Sequence, residues 1–137
     1  SLETRPIVIL LVIQFELLPF FVTERAFMSI PHAASGELID VRPLGANLRQ
    51  TSSNTLVRAA HLEVFRFVLA AGKVAPDHTA SGAITIQYLE GSVELDAHGR
   101  TQILRAGSMV YLSDAEPHAI KALEDSSLLV TVLLRRV

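Results

Sequence analysis

The sequence predicts an all-β domain built as a sandwich or barrel, and three observations carry that prediction. No window sustains a 3.6-residue apolar stripe bounded by helix caps. From Gly36 onward, short apolar-rich runs are separated at close intervals by Gly, Pro, Asn, Asp and Ser turn chemistry. The longest runs, Leu62 to Ala70 and Ser127 to Leu134, are rich in Val, Leu and Phe, residues that suit a pleated surface packed on both sides.

Taken in order, Leu38 to Val41 stops at Arg42-Pro43, and Thr51-Ser52-Ser53-Asn54 forms a polar loop. Thr55 to Ala59 and Leu62 to Ala70 follow as strands. Within the second, Glu63, Phe65, Phe67 and Leu69 share one face, while Val64, Arg66 and Val68 share the other. Ile84 to Leu89 and Ser92 to Asp96 flank Glu90-Gly91, where glycine permits a bend. Asp96-Ala97-His98-Gly99 reads as a hairpin loop with Gly99 left-handed, and Thr101 to Leu104 returns along it. Gly107 turns the chain into Met109 to Leu112, Asp114 to Pro117 forms a loop before His118, and Ser127 to Leu134 closes the series.

At 137 residues, half of them apolar and 19% charged, the chain suits one domain with a real core. A formal charge of −2, with ten scattered arginines and two lysines, excludes a basic nucleic-acid footprint. The absence of cysteine removes disulfides, thiolate metal sites and cysteine nucleophiles together.

Residues 1–35 read as an apolar N-terminal extension to a barrel domain over 36–137. Ile7 to Ile13 is a continuous apolar run and Leu17 to Val22 nearly extends it, with Gln14, Glu16 and Pro19 interrupting. A membrane span needs about 20 uninterrupted apolar residues, so no span is expected. A pair of β-rich strands that adds to a sheet or packs on a partner subunit is the reading adopted. Arg5 before the run and Ala33-Ala34-Ser35 after it keep a secretory leader as an alternative to a cytoplasmic location. Met28 is also a plausible native start.

Two spaced motifs narrow the fold. Gly72, His78, Ala80, Ile84 and Gly91 occupy the intervals of G-x5-H-x-H-x3-E-x6-G. Gly107, Ser113, Ala115, His118 and Ala122 occupy those of G-x5-P-x-G-x2-H-x3-N. In this spacing the chain resembles the cupin family, and the resemblance implies a double-stranded β-helix, the jelly-roll barrel. It also implies three histidines and a glutamate holding one divalent metal inside the barrel. Position by position, His78 and His118 match ligands, whereas Ala80 stands at the second histidine and Ile84 at the glutamate. Neither replacement offers a lone pair, so no resident cofactor is expected. A divalent metal on His78 and His118 is kept as the alternative. Glu63 and Asp77 are the nearest carboxylates, with directions the sequence does not reveal.

The pocket expected from these positions combines His78 and His118 with Ile84, Ile86, Tyr88, Met109 and Tyr111, backed by Phe65 or Phe67. Such a pocket suits a small-molecule ligand. The alternative is an enzyme, either a metal-dependent dioxygenase, isomerase or lyase, or a metal-free epimerase-like catalyst. In the metal-free form His78 or His118 is the base, and Tyr88 or Tyr111 the acid. His32, His61 and His98 receive no role. The exposed apolar surface of the last strand and the N-terminal runs predicts a homodimer, as is common among cupins of this size.

Overall fold

The computed structural model describes residues 32–78 and 82–134. The apolar runs Ile7 to Ile13 and Leu17 to Val22, and Met28, lie outside the described residues. The strands are β1 Asn54–Arg58, β2 Leu62–Leu69, β3 Val74–His78, β4 Ile84–Glu90, β5 Ser92–Ala97, β6 Arg100–Arg105, β7 Met109–Leu112, β8 His118–Ala122 and β9 Ser126–Leu133. They form a five-stranded sheet in the order β1-β2-β9-β4-β7 and a four-stranded sheet in the order β3-β8-β5-β6. Every pairing is antiparallel.

The register explains the core. In the larger sheet, rows run Glu63–Val132–Ile84–Leu112, then Phe65–Val130–Ile86–Val110, then Phe67–Leu128–Tyr88. In the smaller sheet they run His118–Ala97, Ile120–Leu95 and Ala122–Val93. The apolar members of these rows make one cluster between the sheets. Alternation along β2 and β4 therefore sets the inner face as the sequence predicts.

The chain passes from one sheet to the other at Gly91. Its φ of 83° suits glycine, and an added Cβ would overlap the Asp125 carbonyl and Ser126. The β5–β6 turn has both His98 (φ 53°) and Gly99 (φ 73°) left-handed, the backbone of a primed two-residue hairpin. Only Gly99 was read as left-handed from the sequence.

Three local features differ from the sequence reading or add to it. Leu38 to Val41 is not a strand: the segment crosses the surface, with Leu38 fully exposed. Its carbonyls serve Arg66, whose guanidinium reaches Arg42 O at 3.0 Å and Asp40 O at 3.1 Å. This explains how an outward arginine on β2 is buried. A short 3-10 helix, Gly45–Gln50, follows, in keeping with the low helix content expected. The carboxylate of Glu90 accepts from the N–H groups of Leu44 and Gly45, and Arg49 pairs with Asp125 at 2.6 Å.

The third feature is β3 and β8, strands over stretches to which the sequence assigns no element. Pro76 removes an amide donor from β3, and its register slips between Ala75 and His78, as an edge strand tolerates. In β8, alanines give little local preference; pairing with β3 on one side and β5 on the other makes it a strand. No helix among the described residues is long and apolar enough to cross a membrane.

Candidate functional site at one end of the barrel

The end of β3 lies beside the start of β8, where His78 pairs with His118, and the start of β4 beside the end of β7, where Ile84 pairs with Leu112; the short link from β7 to β8 brings these to one end of the barrel. This geometry brings the two motif histidines together: His78 and His118 are direct Cα partners across β3 and β8. The side chains of Asp77 and His78 lie outside the described residues, as does Ala80.

His118 opens β8 on its inner face, only 3% exposed. Its Nδ1 lies 3.1 Å from the carbonyl oxygen of Glu116. A carbonyl only accepts, so Nδ1 carries the proton, and in the neutral ring the lone pair resides on Nε2. The β7–β8 loop that sets this bond contains Ala115 at φ 60°, at the glycine position of the second motif. The left-handed backbone thus persists without the residue that adopts it freely.

Ile84, Ile86 and Tyr88 point inward. All three are buried against Val132, Val130 and Leu128. Among the described residues the Tyr88 hydroxyl has no hydrogen-bond partner, and neither has Thr55 Oγ1. Burial pushes the Tyr88 phenol far above its ordinary range.

Met109 and Tyr111 correct the expected pocket. Each is 63% exposed, because β7 sets Met109 opposite the outward Gln87 and Tyr111 opposite Thr85. The inward residues of β7 are Val110 and Leu112. All four residues of Met109–Leu112 are apolar, so hydrophobic alternation could not reveal which pair faces in.

Glu63 is the polar group the pocket reading left out. It is 7% exposed on the inner face of β2, and Arg58 Nε lies 3.0 Å from its Oε2. The sequence signal was there: an acid heading the otherwise apolar series Glu63, Phe65, Phe67, Leu69. Its row also holds Ile84, two strands away, which at the usual strand spacing is roughly 10 Å. Glu63 therefore does not replace the motif carboxylate. Among the described residues no cluster of three or more His, Asp or Glu could hold a metal ion. Ile84, buried at the position of the motif carboxylate, offers no lone pair to an ion.

A concavity of about 560 Å³ lies at the β5–β6 hairpin. Asp96, Ala97, His98, Gly99, Arg100 and Thr101 of the hairpin line it, with Glu116, Pro117 and Ala119 across from them.

No protein-family model matches the chain, and no curated protein matches it. Solved structures do. A conserved protein of unknown function from Streptococcus pyogenes is 22% identical with a TM-score of 0.62, over 79% of this chain and 96% of its own. A cupin superfamily protein from Desulfitobacterium hafniense is 17% identical with a TM-score of 0.62, over 75% of this chain and all of its own. A salicylate 1,2-dioxygenase mutant from Pseudoaminobacter salicylatoxidans is 20% identical with a TM-score of 0.55, over 58% of this chain and 25% of its own. At these identities the likeness is one of architecture. The chain has the cupin jelly-roll fold, as the two spaced motifs predicted.

Proposed function

We propose that this chain is a small-molecule-binding protein of the cupin fold, with its ligand held at the His118 end of the barrel. The observation that carries the reading is His118 itself: a buried imidazole whose Nδ1–H is committed to Glu116 O, so that Nε2 is the acceptor nitrogen. Glu63, held by Arg58, adds a second buried polar group in the end row of the opposite sheet. Ile84 and Leu112 supply apolar contact in the same row. Ile86 and Tyr88, in the deeper rows, are buried from solvent, which favours this end for a ligand that enters from outside.

Acid–base catalysis is the second reading, favoured by the fixed tautomer of His118, which suits a general base. It loses its expected acids, because Tyr111 faces outward and Tyr88 lies two rows deeper than Ile84. The proposal extends to a barrel domain beginning at Gly36, a cytoplasmic location and a homodimer. Met109 and Tyr111 on the edge strand β7, with Leu133 on the same outer surface, offer apolar area to a second copy.

Native mass spectrometry of untagged protein, beside His118→Ala and Glu63→Gln, tests the reading. A small-molecule adduct that is lost in both variants is expected, with no stoichiometric metal. Near one divalent ion per chain, lost in His118→Ala, would replace this reading by the metal-dependent one. An adduct retained in both variants would move the ligand away from this end.

A further inference from the structure

Glu116, in the β7–β8 loop, makes hydrogen bonds in two directions. Its carbonyl oxygen accepts the Nδ1–H of His118 at 3.1 Å. Its carboxylate Oε2 accepts the His98 backbone N–H at 3.3 Å and lies 3.5 Å from His98 Nδ1. One residue therefore joins the β5–β6 hairpin turn to the imidazole of the barrel-end site.

The register shows why a side chain makes this tie. The β5–β8 ladder ends at the Ala97–His118 pair, so the next residues out are His98 on one strand and Pro117 on the other. Proline has no amide to donate, and the Glu116 N–H is taken by Ser113 O at 3.2 Å. The loop backbone thus offers the hairpin no N–H at these two positions, and the Glu116 carboxylate reaches across instead. Both ends of the tie adjoin left-handed backbone, at His98 (φ 53°) and at Ala115 (φ 60°). Such a conformation costs an L residue energy and persists where surrounding contacts over-determine it. For Ala115, which has no polar side chain of its own, the contacts of Glu116 next to it serve that purpose.

We infer that Glu116 is a positioning residue for His118: its carboxylate anchors the β7–β8 loop to the hairpin, and that anchor keeps its carbonyl on the Nδ1–H. The proton position on an imidazole is set by the bond that one ring nitrogen makes, so this anchor fixes the tautomer that leaves Nε2 as the acceptor. The role matters to function only through the barrel-end reading, to which it adds the device that holds the imidazole in its binding form.

The test reads the His118 tautomer by long-range ¹H–¹⁵N correlation in the full chain labelled at histidine, for the wild type, Glu116→Ala and Glu116→Gln. Mildly alkaline pH is used, where a histidine of ordinary pKa is neutral. The wild type is expected to show the Nδ1–H form. Glu116→Ala should shift the tautomer ratio roughly five- to tenfold toward Nε2–H, the effect of losing one net hydrogen bond. Glu116→Gln should keep the wild-type ratio, because its amide oxygen still accepts the His98 N–H. An unchanged ratio in Glu116→Ala would overturn the inference, and so would a Glu116→Gln shift as large as the alanine one. The tautomer is read without added ligand, so a failed ligand assay leaves this result standing, while an Nε2–H wild type would overturn both readings together. Glu116 lies in a loop outside the apolar core, so both substitutions leave the fold available for the measurement.

Discussion

Replacing Tyr88 with phenylalanine is expected to stabilise this protein, against the usual direction of core substitutions. Tyr88 is 1% exposed, lies between the two sheets beside Leu128, and among the described residues its hydroxyl has no hydrogen-bond partner. An unpaired hydroxyl buried from water costs about 1–3 kcal/mol. Phenylalanine keeps the ring, its packing and its strand preference, and removes only the oxygen. The gap left is smaller than a methyl group and costs a few tenths of a kcal/mol at about 0.1–0.2 kcal/mol per lost atom contact. The net gain is about 1 kcal/mol, which for a domain of this size raises Tm by about 3–6 °C. Thermal and urea unfolding followed by circular dichroism measures it, and an unchanged urea m-value assigns the shift to stability. A Tm lowered by a similar amount would refute the reasoning, because it would mean that the hydroxyl is bonded in solution, as to a buried water. Thr55→Val poses the same question at the second unpartnered hydroxyl and should respond in the same direction.

Gly91→Ala should destabilise the fold by about 3 kcal/mol or more, since it combines a left-handed backbone with overlap against the Asp125 carbonyl and Ser126; equilibrium urea unfolding checks this. Acid should weaken the clamp between the 3-10 helix and the larger sheet. Burial pushes the Glu90 carboxyl up, but the Leu44 N–H, the Ser127 hydroxyl and the Gly45 N–H together hold it below its ordinary 4.5. A depressed carboxyl contributes stability that is complete above its unfolded value and lost as pH falls through the folded value. Tm should therefore drop below about pH 4.5, and Glu90→Gln should flatten that part of the profile while lowering Tm at neutral pH. A variant with the wild-type acid slope would show that Glu90 is not the titrating group.

Much of the architecture was legible because several local signals agree. Gly91, the His98-Gly99 turn and the alternation Ile84, Ile86, Tyr88 against Thr85 and Gln87 each state a conformation without outside help. The paired motif intervals then select the jelly roll among all-β folds, and the structural likenesses bear that out. The candidate site was legible only in part. His78 and His118 are cross-strand partners, a relation their motif offsets anticipate. Met109 and Tyr111 were assigned inward because nothing in Met109–Leu112 distinguishes two faces that are both apolar. Glu63 was visible as a charge on an apolar face, but neither its burial nor its partner could be read from residues adjacent in sequence.

What the sequence determined by itself is therefore whatever short-range chemistry controls: turns that need glycine, strands whose two faces differ in polarity, and a metal motif deprived of its carboxylate at Ile84. What only the tertiary structure decided depends on partners far along the chain. Pairing with β4 chose which face of β7 is inside. Pairing with β3 and β5 made β8 a strand. The carbonyls of Asp40 and Arg42 allowed Arg66 to be buried. Each is a non-local contact in which hydrogen bonding or close packing outweighs local preference, and a period-two pattern carries no record of it where both faces have the same polarity.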